Sequence, residues 1–155
     1  MTDRVSVSAT IAASPERVWE LLSDLPRMGE WSPETTEVHW RKGATAPAVG
    51  VTFVGKNRNE RHGWATHGRI TQCVVNRRLS FLVTAAGFRV AEWSYDLAPA
   101  GEGCEVTETW VDRRGTVARA LGGPVSGVAD RATHNKGTME VTLARLKAAA
   151  EAATD

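Results

Sequence analysis

Cysteine and clustered histidine are the features that this sequence most clearly lacks. Its 155 residues include two cysteines, Cys73 and Cys104, and four histidines, none of them in a CxxC, H-x-x-x-H or H-E-x-x-H pattern. Tetrahedral metal sites are usually built on such closely spaced ligand pairs. The sequence therefore predicts no metal site and no cofactor, and two cysteines without such spacing fit a reduced, cytoplasmic compartment.

An excess of charge of one sign is also missing. The chain has 19 Lys and Arg against 18 Asp and Glu, a formal net charge of +1, so no strong field attracts phosphate backbones or anionic membranes. No apolar run approaches the roughly 20 residues that span a bilayer, and the N-terminus has no signal-peptide pattern. We expect a soluble, cytoplasmic monomer or weak homodimer with no nucleic-acid partner and no integral membrane segment.

Two near-matches to catalytic motifs lack residues that those motifs need. Residues 50–57 approximate the phosphate-binding G-x-x-x-x-G-K-[ST] loop, but Asn57 replaces the hydroxyl and the intervening Val-Thr-Phe-Val favours a strand. Residues 123–127 contain a serine with no preceding strand, so no nucleophile elbow is predicted there. The sequence thus favours neither nucleotide binding nor serine-based hydrolysis.

Tryptophan, by contrast, is abundant: there are six, against one tyrosine and three phenylalanines. A tryptophan can fill a core or form the wall of a ligand cavity, and composition leaves both alternatives open. A chain of this length buries roughly 70% of the surface that it exposes when unfolded. We therefore expect one domain with a substantial core over residues 1–155.

Two periodicities follow one another along most of the chain. Alternation over residues 5–13 predicts a strand, and Ser14–Glu16 supplies the N-cap, proline and acid that begin a helix reaching about Asp24. Another short helical turn is expected over Leu25–Trp31. Runs of period two, separated by turn residues, then predict strands near Thr35–Arg41, Val51–Arg58, His62–Val75, Arg78–Ala85, Arg89–Ala98 and Cys104–Asp112.

The last part of the chain changes to helical spacing. Apolar residues recur at intervals of three, four or seven between Val125 and Ala153, which predicts one amphipathic helix over about residues 125–152. Such a helix is on the order of 40 Å long, enough to cross a sheet. We expect Gly122–Pro124 to act as a hinge before this helix, and the loop from Arg113 to gate a cavity beneath it.

Several phrases of the sequence, in this order, are similar to those of one superfamily. The phrase ASPERVWELLSD at residues 13–24 resembles its A-S-P-E-x-V-W start of the first helix, and EWSPE at residues 30–34 resembles the phrase that follows. VGVTF at residues 49–53 resembles its third strand, and EWSYDL and VTETW, from residues 92 and 106, its last two strands. The chain is thereby identified as a member of the START/Bet v 1-like SRPBCC superfamily, in its polyketide cyclase/dehydratase-like family.

This resemblance implies an α+β helix-grip fold. Its members have a strongly curved antiparallel sheet of about seven strands, two short helices and a long C-terminal helix over a cavity. Relatives use that cavity to carry lipids, sterols or other hydrophobic small molecules, or to cyclise and dehydrate polyketides. The resemblance implies a hydrophobic ligand but does not select one of these functions, because one fold supports many.

Strand parity predicts which side chains face the cavity, since successive residues point to opposite faces. Val106 and Trp110 are apolar members of one row, so their face is predicted to point inward and to include Glu108. The same argument places Thr36 and Val74 on inner rows of other strands. The candidate ligand-binding residues are Trp40, Phe53, Trp64, Phe81, Trp93, Tyr95, Glu108, Trp110, Asn135 and Met139.

Glu108 is the candidate catalytic residue. A carboxyl group between Trp and Val must be hydrogen-bonded, paired, or held neutral by desolvation, which raises its pKa. It can act as a general acid or base, or anchor a ligand. Alternatively, it is a structural partner of Asn57, Arg69 or an indole, or a bulge turns it outward. For Tyr95 and Asn135 the sequence likewise leaves ligand contact and structural hydrogen bonding open.

Three functions are compatible with these patterns. The leading hypothesis is a non-catalytic protein that binds a lipid, a sterol-like or a polyketide-like molecule and carries or sequesters it. The alternative is a polyketide cyclase/dehydratase-type enzyme in which Glu108 moves protons, although the inner rows offer no second acid or base beside it. The third is a regulatory or stress-related partner protein whose cavity is vestigial.

Overall fold

The structure, a computed structural model, describes residues 3–116, 118–120 and 130–152. The order of its elements agrees with the order that the sequence predicts, and their bounds differ by a few residues at most strand ends. The elements are β1 (Arg4–Ile11), α1 (Pro15–Leu22), a 3-10 helix (Leu25–Glu30), β2 (Thr35–Trp40), β3 (Thr52–Asn59), β4 (His62–Val74), β5 (Arg78–Ala85), β6 (Phe88–Ala100), β7 (Gly103–Asp112) and α2 (Arg131–Glu151).

The seven strands of the described residues form one antiparallel sheet in the order β1-β7-β6-β5-β4-β3-β2. Strands β2 to β7 are a meander, and β1 pairs with β7, with Arg4 opposite Val111 and Ile11 opposite Cys104. Such a sheet twists because of the handedness of its strands. It curls around α2, which packs on β1 and β7, so that side chains from β2 to β7 and from α2 surround one cavity. The predicted helix-grip fold is confirmed.

Helix α1 begins where the sequence predicts. The Ser14 hydroxyl accepts a hydrogen bond from the Arg17 amide at 3.1 Å, and Pro15 occupies the first turn, where its missing N–H costs nothing. The helix then buries one apolar face, which consists of Val18, Trp19, Leu21 and Leu22. This face fixes α1 against the core rather than against the cavity.

The described helix α2 begins at Arg131, and the predicted start near Val125 lies outside the described residues. Asp130 has a non-helical backbone and caps the helix, accepting hydrogen bonds from the Thr133 amide at 3.2 Å and the Thr133 hydroxyl at 2.8 Å. The predicted hinge Gly122–Pro124 lies outside the described residues. No helix in the described part of the chain has the length and apolar character needed to cross a membrane.

Bulges in the sheet reset the alternation of inner and outer residues. The register of β2 with β3 shifts between Thr35 and Glu37, and that of β4 with β5 shifts between Ile70 and Gln72. Each bulge inserts one extra residue, which reverses the facing of every later residue in that strand. Val74 is consequently 50% exposed and Thr36 is exposed too, which makes their predicted inner positions wrong.

The hydrophobic core lies beside the cavity, where α1 and the sheet meet the C-terminal half of α2. Leu143, Leu146 and Ala150 of α2 belong to this core, together with Ile11 and Val18. The N-terminal half of α2 instead turns Arg131, Asn135 and Thr138 towards the cavity, as the middle of the helix does Thr142. The C-terminal half of α2 therefore anchors the helix, and the N-terminal half covers the cavity.

Candidate functional site

The cavity between the sheet and α2 has a volume of about 310 Å³ and a mostly apolar wall. That size is at the lower end of the range for small-molecule sites. Aromatic side chains from β3 to β7 form much of the wall, and Phe53 and Phe81 meet edge to face with their ring centroids 5.3 Å apart. Eight of the ten candidate residues line it: Phe53, Trp64, Phe81, Trp93, Tyr95, Glu108, Trp110 and Asn135.

The other two candidates, Trp40 and Met139, are not on the described wall, which corrects their prediction as cavity residues. Trp40 lies against the edge of Phe53, with the ring centroids 6.3 Å apart, and packs on the core. Met139 is buried in a small cluster with Ala91 and Trp110. The cavity-facing stripe of α2 is Asn135, Thr138 and Thr142, because Met139 lies further round the helix, towards the sheet.

The two threonines of this stripe do not offer their hydroxyl protons to the cavity, although threonine is a polar residue. The Thr138 hydroxyl donates to the Asn135 carbonyl at 3.0 Å, and the Thr142 hydroxyl donates to the Thr138 carbonyl at 2.8 Å. Threonine in a helix commonly bonds back to the preceding turn in this way. Both hydroxyl protons are therefore used within α2.

Glu108 lies in the middle of β7, directly opposite Tyr95 of β6 and Val7 of β1. It is 1% exposed and lines the cavity, so the predicted inward orientation is confirmed and the outward alternative is wrong. The Tyr95 hydroxyl is its hydrogen-bond partner. The second carboxyl oxygen, Oε2, has no hydrogen-bond partner among the described residues, although it is fully buried. Such an atom is rare in a folded protein and costs stability.

Burial raises the pKa of Glu108 to about 8, against a smaller opposing effect of the Tyr95 hydrogen bond. Burial also raises the pKa of Tyr95 well above its usual value, and the neighbouring Glu108 adds to that rise. At neutral pH the pair is therefore mainly an uncharged carboxylic acid beside an uncharged phenol. Asn57 is not the partner of Glu108: its amide donates to the Thr66 hydroxyl at 3.1 Å, and its carbonyl accepts from the Thr35 hydroxyl at 3.1 Å.

Both cationic side chains on the described wall are paired with carboxylates. Arg114 donates to the two oxygens of Asp112 at 3.0 and 2.9 Å. Arg131 donates to the two oxygens of Glu34 at 2.8 and 3.1 Å. Two-point contacts of this kind hold a guanidinium in place and neutralise it.

Arg131 and Glu34 belong to a group of side chains that ties the start of α2 to the loop before β2. His134 lies 3.0 Å from Glu34 through Nε2, and Arg131 also donates to the side-chain oxygen Oδ1 of Asn135 at 3.4 Å. The Arg131 guanidinium lies over the Trp64 ring, 5.2 Å from its centroid. This Glu34 cluster, consisting of Glu34, Arg131, His134 and Asn135, closes one side of the cavity.

Sequence reasoning did not identify Glu34 and Arg131 as site residues. They are 97 positions apart in the chain, and only the fold brings them together. The one available signal was the position of Glu34 in the EWSPE phrase that resembles the superfamily. Among the described residues no group of three or more His, Cys, Asp or Glu is placed to hold a metal ion. The polar side chains that the structure brings together at the site include Glu108, Tyr95 and the Glu34 cluster.

Solved structures with the same fold are numerous but distant in sequence. Protein CV1439 from Chromobacterium violaceum is 15% identical, with a TM-score of 0.73 over 97% of this chain and 99% of that one. The di-domain ARO/CYC StfQ from the steffimycin biosynthetic pathway is 13% identical, with a TM-score of 0.76 over 97% of this chain and 52% of that one. Ara h 8.0201 is 8% identical, with a TM-score of 0.69 over 97% and 98% of the two chains.

These structural likenesses show a shared fold. A search of curated proteins finds no match to the sequence. The model of one family, described as polyketide cyclase / dehydrase and lipid transport, matches residues 2–151. Since that match covers nearly all of the chain, and the fold and cavity agree with it, the protein belongs to this SRPBCC-type polyketide cyclase / dehydrase and lipid transport family.

Proposed function

We propose that the protein binds a hydrophobic small molecule in this cavity, lipid-like, sterol-like or polyketide-like, and carries or sequesters it. The observation that carries the proposal is a cavity of about 310 Å³ walled by aromatic side chains, some of which, such as Phe53 and Phe81, also belong to the hydrophobic core. Apolar surface that a ligand removes from water stabilises its complex by roughly 25 cal/mol per Å². The aromatic wall supplies that surface without further folding.

The polar groups of the site support binding rather than turnover. Glu108 and Tyr95 already contact each other, and the acidic and basic groups of the Glu34 cluster are occupied by one another. A carrier needs an apolar wall, a few polar anchors and a cover that opens. In this proposal the Glu34 cluster is part of the cover, because it joins the N-terminal half of α2 to the loop before β2.

The first experiment is native mass spectrometry of the protein purified from its own host. A set of discrete, chloroform-extractable adduct masses that is lost on denaturation supports the carrier function. If no adduct is found, displacement of an environment-sensitive dye by long-chain lipids and polycyclic aromatics gives an independent measure of binding. Failure of every apolar compound to bind would contradict the proposal and favour a regulatory protein with a vestigial cavity.

One observation favours a second candidate, an enzyme of the polyketide cyclase/dehydratase type. The pKa of Glu108, raised to about 8 by burial, suits a group that gives or takes a proton near neutral pH. StfQ, which shares the fold, is an ARO/CYC from a biosynthetic pathway. In such an enzyme Glu108 would move a proton at the carbonyl or hydroxyl of a folded substrate, and Tyr95 would orient the carboxyl group.

The variant Glu108→Gln separates the two functions, because it keeps the shape of the side chain and removes the proton transfer. A binding protein should keep its ligand, with an affinity change on the order of 1 kcal/mol for one altered hydrogen bond. An enzyme should lose roughly 100-fold or more in turnover while it still binds. Thr142→Val is a matched control, because it removes another hydroxyl of the wall, one that donates within α2, and leaves Glu108 and Tyr95 in place.

A further inference from the structure

We propose that this cavity selects uncharged ligands that present a hydrogen-bond-accepting oxygen, such as a ketone, and excludes organic anions, with Glu108 as the donor that recognises that oxygen. The inference rests on the proposed binding function and makes it specific. It concerns the polar end of the ligand, while the aromatic wall accepts the remainder.

The geometry of Glu108 is the first support. Its side chain is 1% exposed and lines the cavity, yet Oε2 has no partner among the described residues. A buried polar atom without a partner costs roughly 1–3 kcal/mol, and a ligand atom that satisfies it recovers part of that cost. A protonated carboxyl group has an O–H to donate, so its natural complement is an acceptor.

The charges of the wall are the second support. Arg114 and Arg131 are the cationic side chains of the described wall, and each makes a two-point contact with a carboxylate of this chain. The residues that the structure does not describe contain no Lys, Arg or His. An anionic head group would thus find no unpaired cationic side chain here and would lie near the Glu108 carboxyl. Burying an unpaired charge is strongly unfavourable.

The described residues around Glu108, from each element that packs near it, do not include a charged group that would favour loss of its proton. From β1 the residue opposite is Val7, from β6 it is Tyr95, and α2 contributes Asn135, Thr138 and Thr142 to the wall. Tyr95 is the one titratable member of this set, and its pKa is itself raised by burial. Burial raises the pKa of Glu108 to about 8, so the donor form predominates at neutral pH.

The experiment compares four naphthalenes that share one ring system: acetylnaphthalene, ethylnaphthalene, naphthoate and naphthylmethylammonium. Calorimetric titration at about pH 6.5, below the pKa of Glu108, gives their affinities. The ketone should bind on the order of tenfold more tightly than the ethyl compound, because it gains one buried hydrogen bond. The anion should bind at least about 100-fold more weakly than the ketone, because it loses its hydration without gaining a cation.

The pH dependence identifies Glu108 as the donor. Raising the pH to about 9.5 removes the Glu108 proton, so the ketone should lose its tenfold advantage while ethylnaphthalene binding changes little. Glu108→Gln keeps a donor that does not titrate, so its ketone preference should be the same at both pH values. Glu108→Met keeps the volume without a donor and should bind the ketone and the ethyl compound equally. Circular dichroism of each variant confirms that it is folded.

The outcomes separate this inference from the function on which it rests. If none of the four compounds binds, the proposed function itself fails, and this inference fails with it. If they bind but naphthoate matches the ketone, or the ammonium compound is preferred, the cavity recognises charge and only the selectivity is overturned. A ketone preference that survives in Glu108→Met would place the donor elsewhere and would also overturn it.

Discussion

Two buried carboxyl groups on the same face of β7 have opposite protonation behaviour. Glu108 is 1% exposed and Asp112 is 3% exposed, and they lie four residues apart in the sequence. Burial raises the pKa of Glu108 to about 8. Burial also tends to raise the pKa of Asp112, but hydrogen bonds from Arg114 and the charges of Arg114 and Arg119 outweigh it, and the pKa of Asp112 is lowered.

The difference comes from the donors that each carboxyl group can reach. Glu108 lies mid-strand, where the residues on both sides are paired with β1 and β6, and it contacts one hydroxyl. Asp112 lies where β7 ends, and there the Arg114 amide is free to donate to it at 2.9 Å, in addition to the Arg114 guanidinium. Burial alone therefore does not decide the charge of a carboxyl group. The donors supplied by neighbouring chain segments decide it.

The largest effect is expected when the arginine beside Asp112 is removed, because the buried carboxylate then loses its main partner. Arg114→Met should lower the free energy of unfolding by about 3 kcal/mol, because it leaves a buried carboxylate with the single arginine Arg119. Chemical denaturation at pH 7 measures the loss. The control Arg119→Met removes the more exposed partner and should cost less than about 1 kcal/mol. Equal costs for the two variants would show that burial is irrelevant to this pair.

A second prediction concerns Glu108 and pH. Between the ordinary value of 4.5 and the raised pKa of about 8, the folded protein holds a proton on Glu108 that the unfolded chain releases. The free energy of unfolding of the native chain should therefore fall as the pH rises through that window. Glu108→Gln lacks this proton equilibrium. Its free energy of unfolding, relative to that of the native chain, should therefore rise by on the order of a few kcal/mol between about pH 5 and pH 9.

Urea denaturation at a series of pH values measures this gain, and the quantity of interest is the change in the difference between the two proteins. Using that change cancels any constant effect of the Gln amide in the cavity. Asp112 should behave in the opposite way, because its pKa is lowered in the folded state. Its contribution to the free energy of unfolding is present above the ordinary pKa of an aspartate and is lost as the pH falls through the lowered pKa. A difference between native and Gln proteins that is independent of pH would contradict the neutral-acid assignment.

A third prediction tests a pair of intermediate burial. Arg131 and Glu34 have side chains that are 12% and 18% exposed, between the buried Asp112 and a solvated pair. Arg131→Met should cost about 1–2 kcal/mol and should speed hydrogen exchange in the first turns of α2, because the Glu34 cluster holds that end of the helix. Lys56→Met is the control, since its contact with Glu37 is exposed and should contribute less than about 0.5 kcal/mol.

The smallest effect is expected for a second polar residue of the wall, Thr142, which serves as a comparison for Glu108. The Thr142 hydroxyl donates within α2, so Thr142→Val should change ligand affinity by less than about threefold, or roughly 0.6 kcal/mol. Titration with a neutral ketone and a matched hydrocarbon measures it. A loss of selectivity as large as that of Glu108→Met would mean that Thr142 also takes part in recognising the ligand oxygen.

Much of this arrangement could be predicted from the sequence. The alternation of Val106, Glu108 and Trp110 was sufficient to place Glu108 inside, because β7 runs without a bulge against β1 and β6. The start of α1 at Ser14–Glu16 could also be predicted from the sequence, since a helix N-cap depends on residues three positions apart. Both are local patterns, and nothing distant in the chain interrupts them.

The same reasoning failed where the pattern depended on a neighbouring strand or helix. Val74 and Thr36 follow or form bulges, which appear only when a strand is laid against its partner. Met139 was placed on the cavity stripe, but the rotation of α2 is set by its packing in the core and turns this residue towards Trp110. The described helix α2 begins after the Asp130 cap, which the apolar stripe did not indicate.

The sequence by itself determined the order of the elements and the presence of a carboxyl group inside the cavity, because these follow from local periodicity. The helix-grip fold was implied by the resemblance of several phrases of the sequence to those of the superfamily. Only the tertiary structure decided that this carboxyl group keeps its proton at neutral pH while Asp112 is an ion. Protonation depends on which donors and charges lie within a few ångströms, and those come from segments such as β6 and the chain beyond β7. The pairing of Glu34 with Arg131, 97 residues away, was decided in the same manner.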